Sequence, residues 1–297
     1  LVAALTRELQ EELGLYVHAA RHEGTVCLDT PARQLRLEVL QVTDWSGVAQ
    51  GREGQRLAWV STHELLARPL PLADRPIIRA LALPATYAIS PTLIEQSGTD
   101  DEARWQQWCA AVEAALDAGA GLVSLRDRDS PHLQAQAAFL LRAARRHGAI
   151  ALLHGDPQQA RRLGFDGVHL SHAALLAADA LPADLWRAAS CHDADSLRQA
   201  LALGCDLLTL SPVRASASHP GAATLGWTGF RAQLEAAGLW PDQPFGFRPR
   251  VYALGGLAAD DLGEARGYGA HGIAAIRGWT HRARFRDPAM PADRHGH

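Results

Sequence analysis

The chain has 297 residues, 47% of them hydrophobic and 21% charged, with a formal net charge of −3, the balance of a globular protein long enough for two domains. No run of about eighteen apolar residues marks a membrane span, and no basic excess marks a nucleic-acid partner. All 29 cationic side chains are arginine, which excludes Schiff-base chemistry on a lysine and leaves arginine, backbone N–H groups, hydroxyls or metal to grip a phosphate.

Taken in chain order, residues 1–13 read as a helix stopped by Gly14. Alternating strands are expected near residues 24–28 and 35–42, a turn at 44–47, a strand around 57–60 and a short helix at 62–67. Pro84 marks the expected junction between a domain of residues 1–84 and one of 85–297. Past it, short apolar runs alternate with amphipathic helices. Candidate strands are 87–90, 121–126, 150–153, 167–170, 188–191, 207–210, 251–254 and 272–276, with helical patterns at 102–118, 133–147 and 196–203 between them. Eight βα units over about 200 residues predict a (β/α)8 TIM barrel, with a doubly wound sheet as the structural alternative. The Arg-, Pro- and His-rich tail after residue 280 is expected to fray. The four cysteines have no zinc-like or CxxC spacing. The first residues do not read as a signal peptide, so a cytoplasmic location is the default expectation; oligomeric state is not legible.

The first helix carries the sharpest pattern. Glu8, Glu11 and Glu12 lie three and four residues apart and so share one helix face. Such a run is ordinarily a solvated face, but a divalent cation among the carboxylates would also relieve their repulsion. The string Arg7-Glu8-Leu9-Gln10-Glu11-Glu12-Leu13-Gly14-Leu15 resembles the second half of the Nudix box, with the first half falling before Leu1. The segment of residues 51–60 is similar to the Glu-Gly-Gln loop of MutT-type Nudix proteins, and 71–78 to their purine-recognition segment. The resemblance implies a partial Nudix α/β fold and an Mg2+- or Mn2+-dependent pyrophosphohydrolase acting on an oxidised purine nucleoside triphosphate such as 8-oxo-dGTP. It implies metal ligation by Glu8, Glu11, Glu12 and Glu53, water activation by Glu11, Glu12 or Glu53, orientation of a glutamate by Arg7 and nucleotide contact by Arg33 and Asp74. Asp74 stands where that family usually has asparagine, and a turn or N-cap before Pro76 is its other reading. Lacking the first half of its box, the domain is expected to hydrolyse poorly alone.

In a TIM barrel the chemistry sits at the C-terminal strand ends, which here offer Arg126, His154, His169, Ser171, His192, Ser211, Gly255, Gly256 and Arg277. The two glycines after the seventh barrel strand suit a phosphate site of backbone N–H groups. The runs at 124–129, 164–170, 190–192, 206–212 and 225–226, with Gly255-Gly256, together resemble thiamine-phosphate synthase and its relative thiazole tautomerase. That resemblance implies thiamine-precursor phosphates as ligands, with Arg126, Ser216, Ser218, Gly255, Gly256 and Arg277 binding them and His192 as a general acid/base. It also exposes departures. The expected Asn-Asp pair reads His154-Gly155, and the second metal aspartate aligns with Ala174, unless Asp156 substitutes by a shift of one. Three readings of the barrel stay open: an active synthase, a tautomerase, or a phosphate-binding regulatory domain.

Overall fold

The computed structural model describes residues 1–279 apart from 30–33, 61, 67, 72, 73, 97–99, 217–220, 222 and 241–248. The expectations placed on Arg33, Ser218 and the tail after residue 280 lie outside the described residues. The chain divides into two compact units, with the change between Ala82 and Leu83.

The first unit begins with α1 (Val2–Leu13), which ends as expected at Gly14 in the left-handed region, φ 72°. Its last carbonyls are closed by Gly14 N–H to Gln10 O and Leu15 N–H to Leu9 O, both 3.1 Å. Strands β1 (Tyr16–Asp29) and β2 (Gln34–Ser46) then form one long antiparallel ribbon. The expected strands fall within these longer ones. Glu38 accepts hydrogen bonds from Thr25 across the ribbon (2.7 Å) and from Arg36 on its own strand (2.6 Å) and bonds His22 (2.8 Å), which hold its carboxyl down at about 2.

One expectation fails here: no strand forms at residues 57–60, which are irregular. A short α2 (Thr62–Leu66) follows, and the segment 71–78 runs into helix α3 (Arg75–Ala82). Asp74 lies in the turn entering α3, its carbonyl receiving the Ile78 N–H at 2.9 Å. Pro76 sits in the first turn, where its missing N–H costs nothing. Helix α1 buries no residue, and the described hydrophobic residues buried in this unit are Leu15 and Ala80. A two-stranded ribbon with so little buried apolar surface is marginal by itself. The expected partial Nudix fold is therefore not shown.

The second unit is a closed parallel barrel of β3 (Thr86–Ile89), β4 (Leu122–Leu125), β5 (Ile150–His154), β6 (Gly167–Leu170), β7 (Trp186–Cys191), β8 (Leu207–Leu210), β9 (Arg250–Leu254) and β10 (Gly272–Ala275), each paired with its sequence neighbours and β10 closing onto β3. All eight expected strands are present. Between them run α4 (Asp101–Asp117), α5 (Leu133–His147), α6 (Pro157–Leu163), α7 (His172–Leu176), α8 (Ala194–Ala202), α9 (Gly226–Ala236) and α10 (Leu262–Gly267). The strands are apolar on both faces because both are covered. Val123, Leu125, Leu153, Val168, Leu208, Leu210 and Ile273 join the helices in the outer core with Trp108, Leu140, Leu197 and Phe230. The alternate residues Tyr87, Leu122, Leu152, His169, Thr209 and Tyr252 are equally buried and fill the bore.

Several residues of the barrel's sequence motifs serve the N-terminal rim. Asp166 accepts the Ala151 N–H at 2.8 Å, and Asp206 accepts the Arg187 N–H at 2.9 Å while pairing with the same residue's guanidinium. Such positions at the bottom of a barrel serve stability. Glycine is needed where strands close tightly: a Cβ on Gly167 would stand 2.4 Å from the Trp186 carbonyl oxygen, and one on Gly272 would stand 2.1 Å from that of Ala85. Gly272→Ala is expected to lower the unfolding free energy by about 2–3 kcal/mol through overpacking at the closure. Urea unfolding followed by tryptophan fluorescence measures this, and an unchanged midpoint would count against a steric role.

Candidate functional site

The C-terminal mouth of the barrel is built on a polar tier in the bore. The His169 ring bonds Tyr87 Oη through Nδ1 (2.6 Å) and Ser190 Oγ through Nε2 (2.9 Å). It stacks on His154, centroids 4.1 Å apart and planes 12° off parallel, and His154 Nε2 bonds Ser124 Oγ at 3.2 Å. Burial holds the His169 imidazole down at about 3. Burial, His169, Arg126 and Arg128 keep His154 well below the ordinary histidine range, and burial pushes the Tyr87 phenol up. The tier is therefore uncharged at neutral pH. Thr209, also buried in the bore, has an Oγ1 with no partner among the described residues.

Above the tier, Arg126 follows β4. Its N–H donates to Ser90 Oγ at 3.0 Å and its guanidinium forms an ion pair with Glu95, in the short 3-10 turn Leu93–Glu95 after β3. Burial raises the Glu95 carboxyl, but Arg126, the Thr92 N–H and the charge of Arg277 outweigh it and hold the group below the usual range. The carboxylate that pairs with Arg126 thus also feels the charge of Arg277.

On the other side of the mouth His192 follows β7. Its Nδ1 lies 2.9 Å from the Ser211 carbonyl oxygen, which can only accept, so Nδ1 carries the hydrogen and Nε2 the lone pair of the neutral ring. The His172 ring lies 5.0 Å away. Asp193, the cap of α8, is held below the usual carboxylate range by the backbone and hydroxyl of Ser196 and by the charges of His172 and His192.

Gly255 and Gly256 have φ of 108° and 62°. A Cβ on Gly255 would meet Pro212 Cα at 2.9 Å, and one on Gly256 would meet the Ala215 carbonyl oxygen at 2.5 Å. The pair is therefore also required by packing against the loop after β8, whose Arg214 N–H donates to Gly255 O at 3.0 Å. Ser216, half-buried, continues that loop, and Arg277 is exposed after β10.

The carboxylates described at the mouth have other partners. Asp156 caps α6 by accepting the Gln159 N–H (2.8 Å), Asp127 accepts the Leu93 N–H (3.0 Å), Glu95 is paired with Arg126 and Asp193 caps α8. Among the described residues no three His, Cys, Asp or Glu side chains converge to hold a metal ion.

The same statement covers the first unit, where the resemblance implied a metal site. Glu8, Glu11, Glu12 and Glu53 are all exposed. Arg7 Nη2 donates to Glu8 Oε1 at 2.8 Å, and the loop carrying Glu53 is fastened to α1 by Arg52 and Gln55 on the Gln10 and Glu12 carbonyls. Loop and helix meet, but through backbone carbonyls and not through a carboxylate cluster.

Fold and site together define a (β/α)8 barrel with arginines, histidines and a glycine pair gathered at its C-terminal mouth. Residues 97–279 match the family described as thiamine monophosphate synthase. A thiamine-phosphate synthase of Chromobacterium violaceum is 35% identical over 198 residues, 65% of this chain and 86% of that protein. Another from Thioalkalivibrio sulfidiphilus is 33% identical, over 57% of this chain and 78% of its own length. The solved thiamine phosphate pyrophosphorylase of Pyrococcus furiosus shares the fold with a TM-score of 0.50 at 20% identity, covering 69% of this chain and 94% of that one. The chain belongs to the thiamine monophosphate synthase family.

These findings overturn the expectation of a Nudix, MutT-like hydrolase in DNA repair with a nucleotide substrate. The match lies on the barrel, and these relatives are thiamine-phosphate synthases by name. No described helix is long and apolar enough to cross a membrane. Glu95, Tyr87 and His172 went unread in the sequence. The period-two pattern Gly167-Val168-His169-Leu170 could have turned His169 into the bore.

Because His169 and His154 are held neutral in the folded barrel but titrate near 6.5 when unfolded, the unfolded chain binds more protons below that pH. Stability is expected to be full above about pH 6.5 and to fall as pH drops toward 3, by up to ~1.4 kcal/mol per pH unit for each histidine. Urea unfolding as a function of pH measures the slope. His169→Gln should reduce it, and an identical slope in that variant would remove His169 from the account.

Proposed function

We propose that the barrel is an enzyme of thiamine biosynthesis that binds a phosphorylated thiazole precursor at its C-terminal mouth and moves a proton on it with His192, as a tautomerase does. The observation that carries the reading is the hydrogen bond from His192 Nδ1 to the Ser211 carbonyl, which leaves the lone pair on Nε2. Nε2 takes a proton from one position of the heterocycle, and the imidazolium returns it to another. One group thus serves as base and then as acid, and the net atom balance is unchanged. The precursor's phosphate falls to Gly255, Gly256 and Ser216, with Ser218 of the same sequence run and Arg277 at the rim; Arg126, tied to Glu95, fixes the opposite wall. Commitment of the nearby carboxylates to caps and ion pairs supports proton transfer over metal-assisted departure of a diphosphate.

The 35% identity to a synthase over 86% of its length supports a second reading, condensation of the same thiazole phosphate with a pyrimidine diphosphate. Both reactions are followed in one assay, by NMR for the tautomer and by fluorescence after oxidation for thiamine phosphate. Turnover of the tautomer is expected, with His192→Asn slowing it about a hundredfold or more. Thiamine phosphate formed at a comparable rate would replace this reading with the synthase. Thiazole-phosphate binding with neither product would make the barrel a sensing domain.

A further inference from the structure

The resemblance to the synthases places their first metal aspartate at position 155 and the second at 174. This chain has Gly155 and Ala174 there. The change at 155 is built into the backbone. Gly155 has φ 137°, a conformation that side-chain-bearing residues rarely adopt, and its N–H donates to the His169 carbonyl at 3.2 Å, so β6 holds it there. The aliphatic stem of Arg128 lies over it: Arg128 Cδ and Cβ are 3.7 and 3.8 Å from where a Gly155 Cβ would stand. Beside them opens a cavity of about 570 Å³, lined by Arg128, Asp129, Gly155, Asp156, Gln159 and Ala174 among others. Asp156 is committed to the α6 cap. Asp129 meets Arg128 Nε at 3.3 Å with its own side chain 88% exposed, a screened contact that a phosphate with bidentate geometry would displace.

We propose that this cavity is an anion subsite that works without a divalent cation, receiving the phosphate or diphosphate end of a ligand on the Arg128 guanidinium. The geometry exchanges metal-bridged recognition, which needs carboxylates, for direct recognition by a permanently charged fork. The inference rests on the reading that the barrel holds phosphorylated ligands at its mouth, and it adds a second anion site, lined by other residues, to the one at Gly255 and Gly256.

Isothermal titration calorimetry of the full chain with inorganic pyrophosphate, in Mg2+ and again in EDTA, tests it. Equal affinity in the two buffers is expected. Arg128→Gln should weaken binding about tenfold or more, as loss of a charge-assisted hydrogen bond does, with an unchanged melting temperature because the side chain is exposed. Arg128→Lys, which keeps the charge and loses the fork, should fall between. Binding that needs Mg2+, binding unaffected by Arg128→Gln, or no binding at all each overturns the proposal. Pyrophosphate bound without metal while thiazole phosphate is neither bound nor converted would sink the thiamine reading and leave the anion subsite standing. Mg2+-dependent thiazole-phosphate turnover would do the reverse.

Discussion

The uncharged hydrogen-bonded tier at the centre of the barrel governs what lies above it. Through Tyr87, His169 and Ser190 it ties β3, β6 and β7, and through the His154 stack and Ser124 it adds β5 and β4. Five of eight strands are thus registered by two imidazoles. A buried polar group left unmatched costs far more than its bond gains, so this tier admits little rearrangement. The residues that follow the same strands, among them Arg126, Arg128, Gly155 and His192, inherit that rigidity, which is what a reacting constellation needs from its support.

Acidic residues at the mouth have largely become structural. Asp156 and Asp193 start helices, Asp127 holds the turn after β3, and Glu95 neutralises Arg126. The same carboxyl group cannot cap a helix with its lone pairs and also enter a metal's coordination sphere without losing one role. The distribution of charge around the mouth is accordingly carried by guanidinium groups, in keeping with a sequence whose cations are all arginine.

The barrel was legible because its strands are short apolar runs between turn residues, a pattern that survives without knowledge of partners. The rim aspartates Asp166 and Asp206 stood out as motif residues, but only the structure reveals that they hold strand ends. Glu95 was not legible: its partner Arg126 lies 31 positions away, and nothing local distinguishes it from any surface glutamate. The first unit misled for a related reason. The spacing of Glu8, Glu11 and Glu12 places them on one helix face, yet whether a helix face gathers a metal depends on what lies opposite, and the described residues set no carboxylate cluster there. The stretch 71–78 was read through a resemblance, and the helical apolar spacing of Ile77, Ile78 and Leu81 was passed over.

The chain enters the barrel through two residues that its far end clasps. Tyr252 Oη donates to the Pro84 carbonyl, and His271 Nε2 bonds the Leu83 carbonyl at 2.9 Å, partners 168 and 188 positions apart. During synthesis, at about 5–20 residues per second, the first strand waits on the order of ten seconds for these closing groups to be made. Until then β3 is an exposed edge, the element most apt to pair with another chain. The nascent barrel is thus most vulnerable at its oldest strand, and a chaperone that shields that edge would guard the whole fold.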